Sequence, residues 1–278
     1  MSGKYCYKTR IWQEQADERD PFVAARQSVY GYDVNTQLLP GAGLTEYLYL
    51  LFSGRRPDRN ECQLLDKLAV FLAHPGLREP SVLAAMNAGA GGSTQAAALI
   101  AAISVGAGQL GGAQEIRWLM DAAARCNKSL QDWLETLKAP NRHRTREDIW
   151  PAFDYPPGFD PNRRVASLPL LQALDYLENL SPGGQLSWLK QHRVAMETVL
   201  ERPVSTAFVA ASAYLDLGLA AEQASMLHLY LRLPGAAAQS MEQGHQGWRQ
   251  FPFYQDAVTL SDDPGDKGFP ENGGWRDE

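Results

Sequence analysis

Two helix-spaced stretches of this chain, one ending near Val105 and one resuming after Gly112, are separated by Gly106-Ala107-Gly108-Gln109-Leu110-Gly111-Gly112. Glycine costs a helix interior about 1 kcal/mol relative to alanine, so this run dictates a break between helices. Paired glycines also let a backbone approach a neighbour closely. Read from the residues alone, the run is either a close helix-helix crossing or a ligand-facing turn. On both sides Leu and Ala recur at three- and four-residue spacing, the period of helices that bury one face. The chain reads as an all-α protein.

Local stop and start signals divide it further. Leu44 to Ser53 is an apolar helix after Pro40-Gly41, closed by Gly54. Asp58 and Glu61 form a capping-box pattern, and Cys62, Leu65, Leu68, Ala69 and Leu72 mark one face of the next helix. Pro80 suits a first turn, placing a helix at about 81 to 87, and Ser93 caps the following one. Ser129 and Asp132 open a helix reaching Lys138. Pro140, Pro151, Pro156, Pro157 and Pro161 then make 139 to 167 irregular, the place for a hinge or binding loop. Helical periodicity returns over 168 to 180, 185 to 200, 204 to 217 and 220 to 233. Trp248 to Tyr254 reads as an aromatic, extended segment. The Gly-, Asp- and Pro-rich stretch 261 to 278 reads as disordered or laid across a partner.

At 278 residues and 45% apolar content the chain is long enough for one large domain, or for a large domain with a smaller insertion. A net charge of -6 with dispersed basic residues argues against nucleic-acid binding, and Arg142 to Arg146 reads as a solvated loop. Three separated cysteines, Cys6, Cys62 and Cys126, suggest neither a disulfide framework nor a metal site. No apolar run approaches the span of a bilayer, and the first residues lack an apolar stretch of signal-peptide length. The expectation is a cytoplasmic protein with no membrane contact and no metal.

Several separated blocks resemble the citrate synthase superfamily, particularly short members such as citryl-CoA lyases and the corresponding end of ATP-citrate lyase. Thr9-Arg10-Ile11-Trp12-Gln13-Glu14 and Tyr30-Gly31-Tyr32-Asp33 are similar to the family's opening. Thr45 to Pro57 resembles its Leu-Leu-Phe-x-Gly-x-x-Pro element. Ala73-His74-Pro75-Gly76 stands where the family has Ala-Asp-His-Gly, and Gln109 to Ala113 where it has Pro-Leu-His-Gly-Gly-Ala. The likeness continues at Trp150 to Tyr155, Pro203 to Thr206 and Tyr230 to Gly235. It implies an all-helical homodimer; an inactive subunit paired as a heteromer with an active paralogue is a separate alternative. The large domain would comprise 1–162 and 233–260 and the small domain 163–232, with an arm at 261–278.

The resemblance also implies roles, and most of them fall on the wrong residue type. The family condenses an acyl-CoA with a keto acid: a carboxylate removes a proton, one histidine stabilises the enol and another polarises the ketone. Ser205 stands at the carboxylate position, and a serine hydroxyl is too weak a base at neutral pH to act alone. Leu110 stands at the enol-stabilising histidine and neither donates nor accepts. Tyr155 replaces the ketone-polarising histidine and keeps a donor, Asp154 beside it is the best remaining base, and His74 is displaced by one position from the substrate-binding histidine, now Pro75. Arg232 matches an arginine that grips a substrate carboxylate, Arg163 or Arg164 a second, and Arg249 one donated across the dimer. The expected function is therefore a non-catalytic or regulatory protein binding a small carboxylic acid or acyl-CoA, with CoA a ligand or substrate and no tightly held cofactor. A repurposed lyase, hydrolase or acyltransferase using the same cleft, with catalytic candidates Asp154, Tyr155, Ser205 and His74, is the alternative.

Overall fold

The computed structural model describes residues 8–140 and 153–251. Cys6, the basic loop Arg142 to Arg146, Trp150 to Ala152 and the expected arm at 261–278 lie outside them. The chain opens with a three-stranded antiparallel sheet, β1 (Trp12–Ala16), β2 (Ala24–Val29) and β3 (Tyr32–Asp33). β1 pairs with β2 from Trp12 opposite Val29 to Ala16 opposite Ala24, with an irregularity at Gln15/Ala16. Tyr30 and Gly31, both at positive φ (48° and 88°), make the two-residue turn into β3. This sheet departs from the all-helical expectation. β1 is exposed along its whole length, so it carries no alternation of buried and exposed positions from which a strand could be read.

The rest is helical, as expected. After a π-helical turn at Val34–Leu38 come α1 (Leu39–Gly41), α2 (Leu44–Ser53), α3 (Arg59–Ala73), α4 (Pro80–Ala90), α5 (Gln95–Gly106) and α6 (Ala113–Cys126). Then follow α7 (Leu130–Lys138), α8 (Leu168–Leu180), α9 (Gln185–Leu200), α10 (Thr206–Asp216), α11 (Ala221–Leu231) and α12 (Leu233–Gln246). Gly54 ends α2 at φ 79°, the left-handed stop that glycine takes without a Cβ penalty. Asp58 and Glu61 form the capping box of α3, and Ser129 accepts the Asp132 N–H at the start of α7. Thr94, not Ser93, caps α5. α12 extends beyond the periodicity read from the sequence. Trp248–Gln250 forms a 3-10 turn instead of an extended segment.

The main core joins α3 and α6 through α11. Leu64, Leu65, Leu68, Ile116, Leu119 and Leu189 are fully buried, each such side chain contributing about 1.5–3 kcal/mol. Trp133 sits at its centre, its ring centroid 5.0 Å from Phe208 and 5.7 Å from Trp188. This core is continuous across the boundaries at 162 and 232 that the resemblance implies. A second core of small side chains, Val82, Ala85, Met86, Ala102 and Ala236, packs α4, α5 and α12 together. There a Cβ on Gly89 would strike the backbone carbonyl of Ser240, so α4 and α12 approach more closely than any other residue would allow.

Three backbone ties position the parts that matter for the site. Phe159 bridges Val204, the Asp160 N–H donates to the Pro203 carbonyl (2.8 Å), and the Ser205 N–H donates to the Gly158 carbonyl (2.8 Å). The proline-rich loop is thereby fixed against the start of α10. At the other end of α10, Asp216 accepts the N–H groups of Gly184, Gln185 and Leu186, so one helix supplies the N-terminal cap of α9.

Candidate functional site

A cleft of about 430 Å³ opens where five parts of the chain meet: the α3–α4 connection, the turn at Leu110-Gly111, the loop 159–163, the start of α10 and the end of α11. Leu110, Ser205, Pro75, Arg163 and Arg232, which the sequence had scattered over 158 positions from 75 to 232, all line it. The turn between α5 and α6 packs its backbone so tightly around Gly112 that no side chain fits there. A Cβ there would lie 2.6 Å from the Gly106 carbonyl oxygen and would also strike that of Gly108.

Polar groups hold this turn from both sides. The Gly111 carbonyl accepts Arg232 Nη1 at 2.6 Å and His228 Nε2 at 3.2 Å. Because a carbonyl only accepts, Nε2 carries the His228 proton, leaving Nδ1 to accept the Tyr214 hydroxyl at 3.3 Å. Burial, reinforced by the Arg232 charge, pushes the His228 pKa down to about 3, so its ring is neutral. On the other side Glu115, on the first turns of α6, accepts the Gly111 N–H and the Gly158 N–H, each at 2.6 Å. Burial pushes the Glu115 pKa up to about 7, against the lowering effect of those N–H groups, the Tyr155 hydroxyl and Arg232.

Arg232 is buried and already has a counter-ion. Its guanidinium pairs with Glu79, the N-cap of α4, which also accepts the Ser81 N–H (2.9 Å) and Val82 N–H (3.2 Å). Arg163 pairs with Asp160 at 3.2 Å and faces the cleft, whereas Arg164 lines a different cavity of about 490 Å³ with Arg193, Glu197 and Arg202. Arg249 lies over the Trp248 ring, 5.7 Å from its centroid, and does not line the cleft.

Three of the four catalytic candidates stand away from it. His74 ends α3, accepting the Gly76 N–H on Nδ1 and facing Gln239 of α12 across 3.3 Å. Asp154 is exposed, and neither it nor His74 lines the cleft. Tyr155 lies behind the turn, its hydroxyl donating to the Gln109 carbonyl at 3.3 Å, with its pKa raised by burial and by Glu115. Ser205 does line the cleft as the N-cap of α10, and its Oγ is buried with no hydrogen-bond partner among the described residues. Leu110 also lines the cleft, with its side chain 45% exposed. Among the described residues no group of three or more His, Cys, Asp or Glu side chains could hold a metal ion.

The sequence reading missed Glu79, Glu115 and His228. Two signals were available: Glu115 stands between Ala113 and Ile116 on the buried face of α6, and His228 stands one turn before Arg232. Each is an ionisable side chain where burial demands a partner.

Neither a protein-family model nor a curated protein sequence matches this chain. Solved structures do. Citryl-CoA lyase from Hydrogenobacter thermophilus is 15% identical over 93% of this chain and 95% of its own, with a TM-score of 0.68. A mutant ATP citrate lyase of Methanosaeta concilii in complex with (3S)-citryl-CoA is 12% identical with a TM-score of 0.70. ATP citrate lyase from Methanothrix soehngenii in complex with citrate and coenzyme A is 13% identical with a TM-score of 0.69. In both lyases the match spans 94% of this chain but 42% of theirs. No helix among the described residues is long and apolar enough to cross a membrane. The chain has the helical, citrate-synthase-like fold of citryl-CoA lyase.

Proposed function

We propose that this chain is a binding protein on the citryl-CoA lyase fold, holding a carboxylic acid or acyl-CoA in the cleft without making or breaking carbon-carbon bonds. The observation that carries this reading is the pairing of Leu110 with Ser205 at the cleft wall, while the ionisable groups beneath, Glu115 and His228, are committed to the Gly111 and Gly158 backbone. Acid-base groups and oxyanion donors each contribute on the order of 10²-fold or more to such reactions; Leu110 can serve as neither, and a serine hydroxyl is too weak a base at neutral pH to act alone. Of the enzymatic alternative's candidates, Asp154, Tyr155 and His74 lie outside the cleft lining and Ser205 alone is on it. Two of the structural neighbours hold citryl-CoA, or citrate with coenzyme A, which supports that class of ligand here. Titration calorimetry with citrate, oxaloacetate and CoA is expected to give binding, while citryl-CoA incubated with the protein stays intact. Cleavage at an enzyme-like rate, or no heat with any ligand, would overturn the reading.

The same reading extends to a homodimer. α5 carries no charged side chain and buries only Ala98, Ala102 and Gly106, leaving Ile100, Ile103 and Val105 exposed. A self-complementary two-fold contact buries such an uncharged face without leaving a charge unpaired. Sedimentation is expected to find a dimer at micromolar concentration and a monomer for Ile100→Asp. Three widely separated cysteines support a reducing, cytoplasmic setting.

A further inference from the structure

The cleft's charges are arranged against the acids that an arginine-lined pocket ordinarily takes. Arg232 and Glu79 neutralise each other with side chains only 7% and 13% exposed. Glu79 is no loose counter-ion, since it also holds the first N–H groups of α4. For Arg232 to grip an incoming carboxylate, it would have to abandon Glu79 or share itself between two anions. Stranding a buried charge in this way costs more than one new ion pair returns. Arg163 is likewise engaged by Asp160.

What remains for a ligand is smaller and different in kind. Arg78 lines the cleft and makes no ion pair or hydrogen bond among the described residues. At the start of α10, the Thr206 and Ala207 N–H groups have no backbone partner among the described residues, and the buried Ser205 Oγ has no hydrogen-bond partner among them. One free cation and one helix N-terminus suit a single carboxylate. Beside these polar groups the wall also carries the apolar side chains of Leu72, Leu110, Phe159, Leu170 and Val204. Leu110, 45% exposed, presents hydrocarbon to the cleft.

We propose that the cleft selects a monocarboxylic acid with an apolar tail over a di- or tricarboxylic acid. Its carboxylate meets Arg78 and the α10 N-terminus, and its tail lies against Leu110. Glu79 is the specificity-determining residue, because it withdraws Arg232 from ligand binding. This rests on the cleft being a carboxylate or acyl-CoA site.

Calorimetry with hexanoate, citrate and CoA tests it on the 278-residue chain, with circular dichroism confirming that each variant folds. Hexanoate is expected to bind at least tenfold more tightly than citrate. Arg78→Ala, at an exposed position, is expected to weaken hexanoate at least tenfold. Glu79→Gln keeps an amide oxygen for the α4 N–H groups while freeing Arg232, and is expected to raise citrate affinity at least tenfold. Citrate binding as tightly as hexanoate, or no gain of citrate affinity in Glu79→Gln, would overturn the selectivity proposal and leave the cleft assignment standing. Binding of CoA but neither acid would do the same. Failure of all three ligands would remove the cleft assignment itself.

Discussion

Replacing Gly112 by alanine is expected to cost about 3 kcal/mol of stability, the upper end of what overpacking usually costs, whereas Gly111→Asn costs under about 1 kcal/mol. The two glycines are adjacent and do different things. Gly111 sits at φ 64° with open space where a Cβ would project, and asparagine tolerates that left-handed backbone better than other side chains. Gly112 has an ordinary φ of -100° but no room, because the obstructing atoms are the carbonyl oxygens of Gly106 and Gly108. Backbone cannot rotate away as a flexible side chain can, so the turn itself must open. Opening it displaces the Gly111 carbonyl from Arg232 and His228 and the Gly111 N–H from Glu115, so the damage reaches buried polar groups. Urea unfolding midpoints of the two variants measure the contrast. A Gly112→Ala protein within about 0.5 kcal/mol of the parent, well below such overpacking costs, would show that the turn relaxes without penalty.

The same turn marks the boundary between what the sequence discloses and what it does not. Signals confined to a few neighbouring residues were legible. Gly54, the Asp58–Glu61 capping box and Ser129 lie where they were read, because capping is chemistry between residues one turn apart. The continuation into α12 was obscured by Pro234 and Gly235, which look like a break. Pro234 instead occupies the first turn, where its missing N–H costs nothing, and Gly235 admits the Cα of His74, which would lie 2.7 Å from a Cβ. The resemblance pointed to Leu110, Ser205, Arg232 and one of Arg163 and Arg164, of which Arg163 lines the cleft, yet did not reveal that Arg232 is neutralised. Its partner Glu79 is a local N-cap by sequence and an ion-pair partner only through folding. Likewise the Glu115–Gly158 and His228–Gly111 contacts join residues 43 and 117 positions apart, and no local periodicity encodes such a pairing.

Those two buried groups make the second large prediction, a stability profile in which opposite pH dependences cancel. Glu115 holds its proton up to about pH 7 in the folded chain and to 4.5 ordinarily, so the folded state binds more protons between those values. Stability from this group is complete below pH 4.5 and is lost as pH rises through 7, by about 3 kcal/mol at 1.36 kcal/mol per unit. His228 behaves in reverse. Its pKa falls from 6.5 to about 3 on folding, so the unfolded state binds the extra proton, and stability rises by about 5 kcal/mol as pH climbs from 3 to 6.5. Arg232 faces both, while Tyr155 and Tyr214 are pushed upward and do not titrate here. Asp33 and Glu61, held below their ordinary values, lose their contribution only on the acid side of this window. Between pH 4.5 and 6.5 the two slopes oppose, and the parent protein is expected to change little. Glu115→Gln removes the falling component and leaves stability rising with pH, whereas His228→Gln, whose amide still donates to the Gly111 carbonyl, leaves it falling. Urea midpoints at pH 4.5, 5.5 and 6.5 read the slopes independently of each variant's overall loss. Parallel profiles for parent and variants would mean that neither group carries its altered proton affinity in the folded chain.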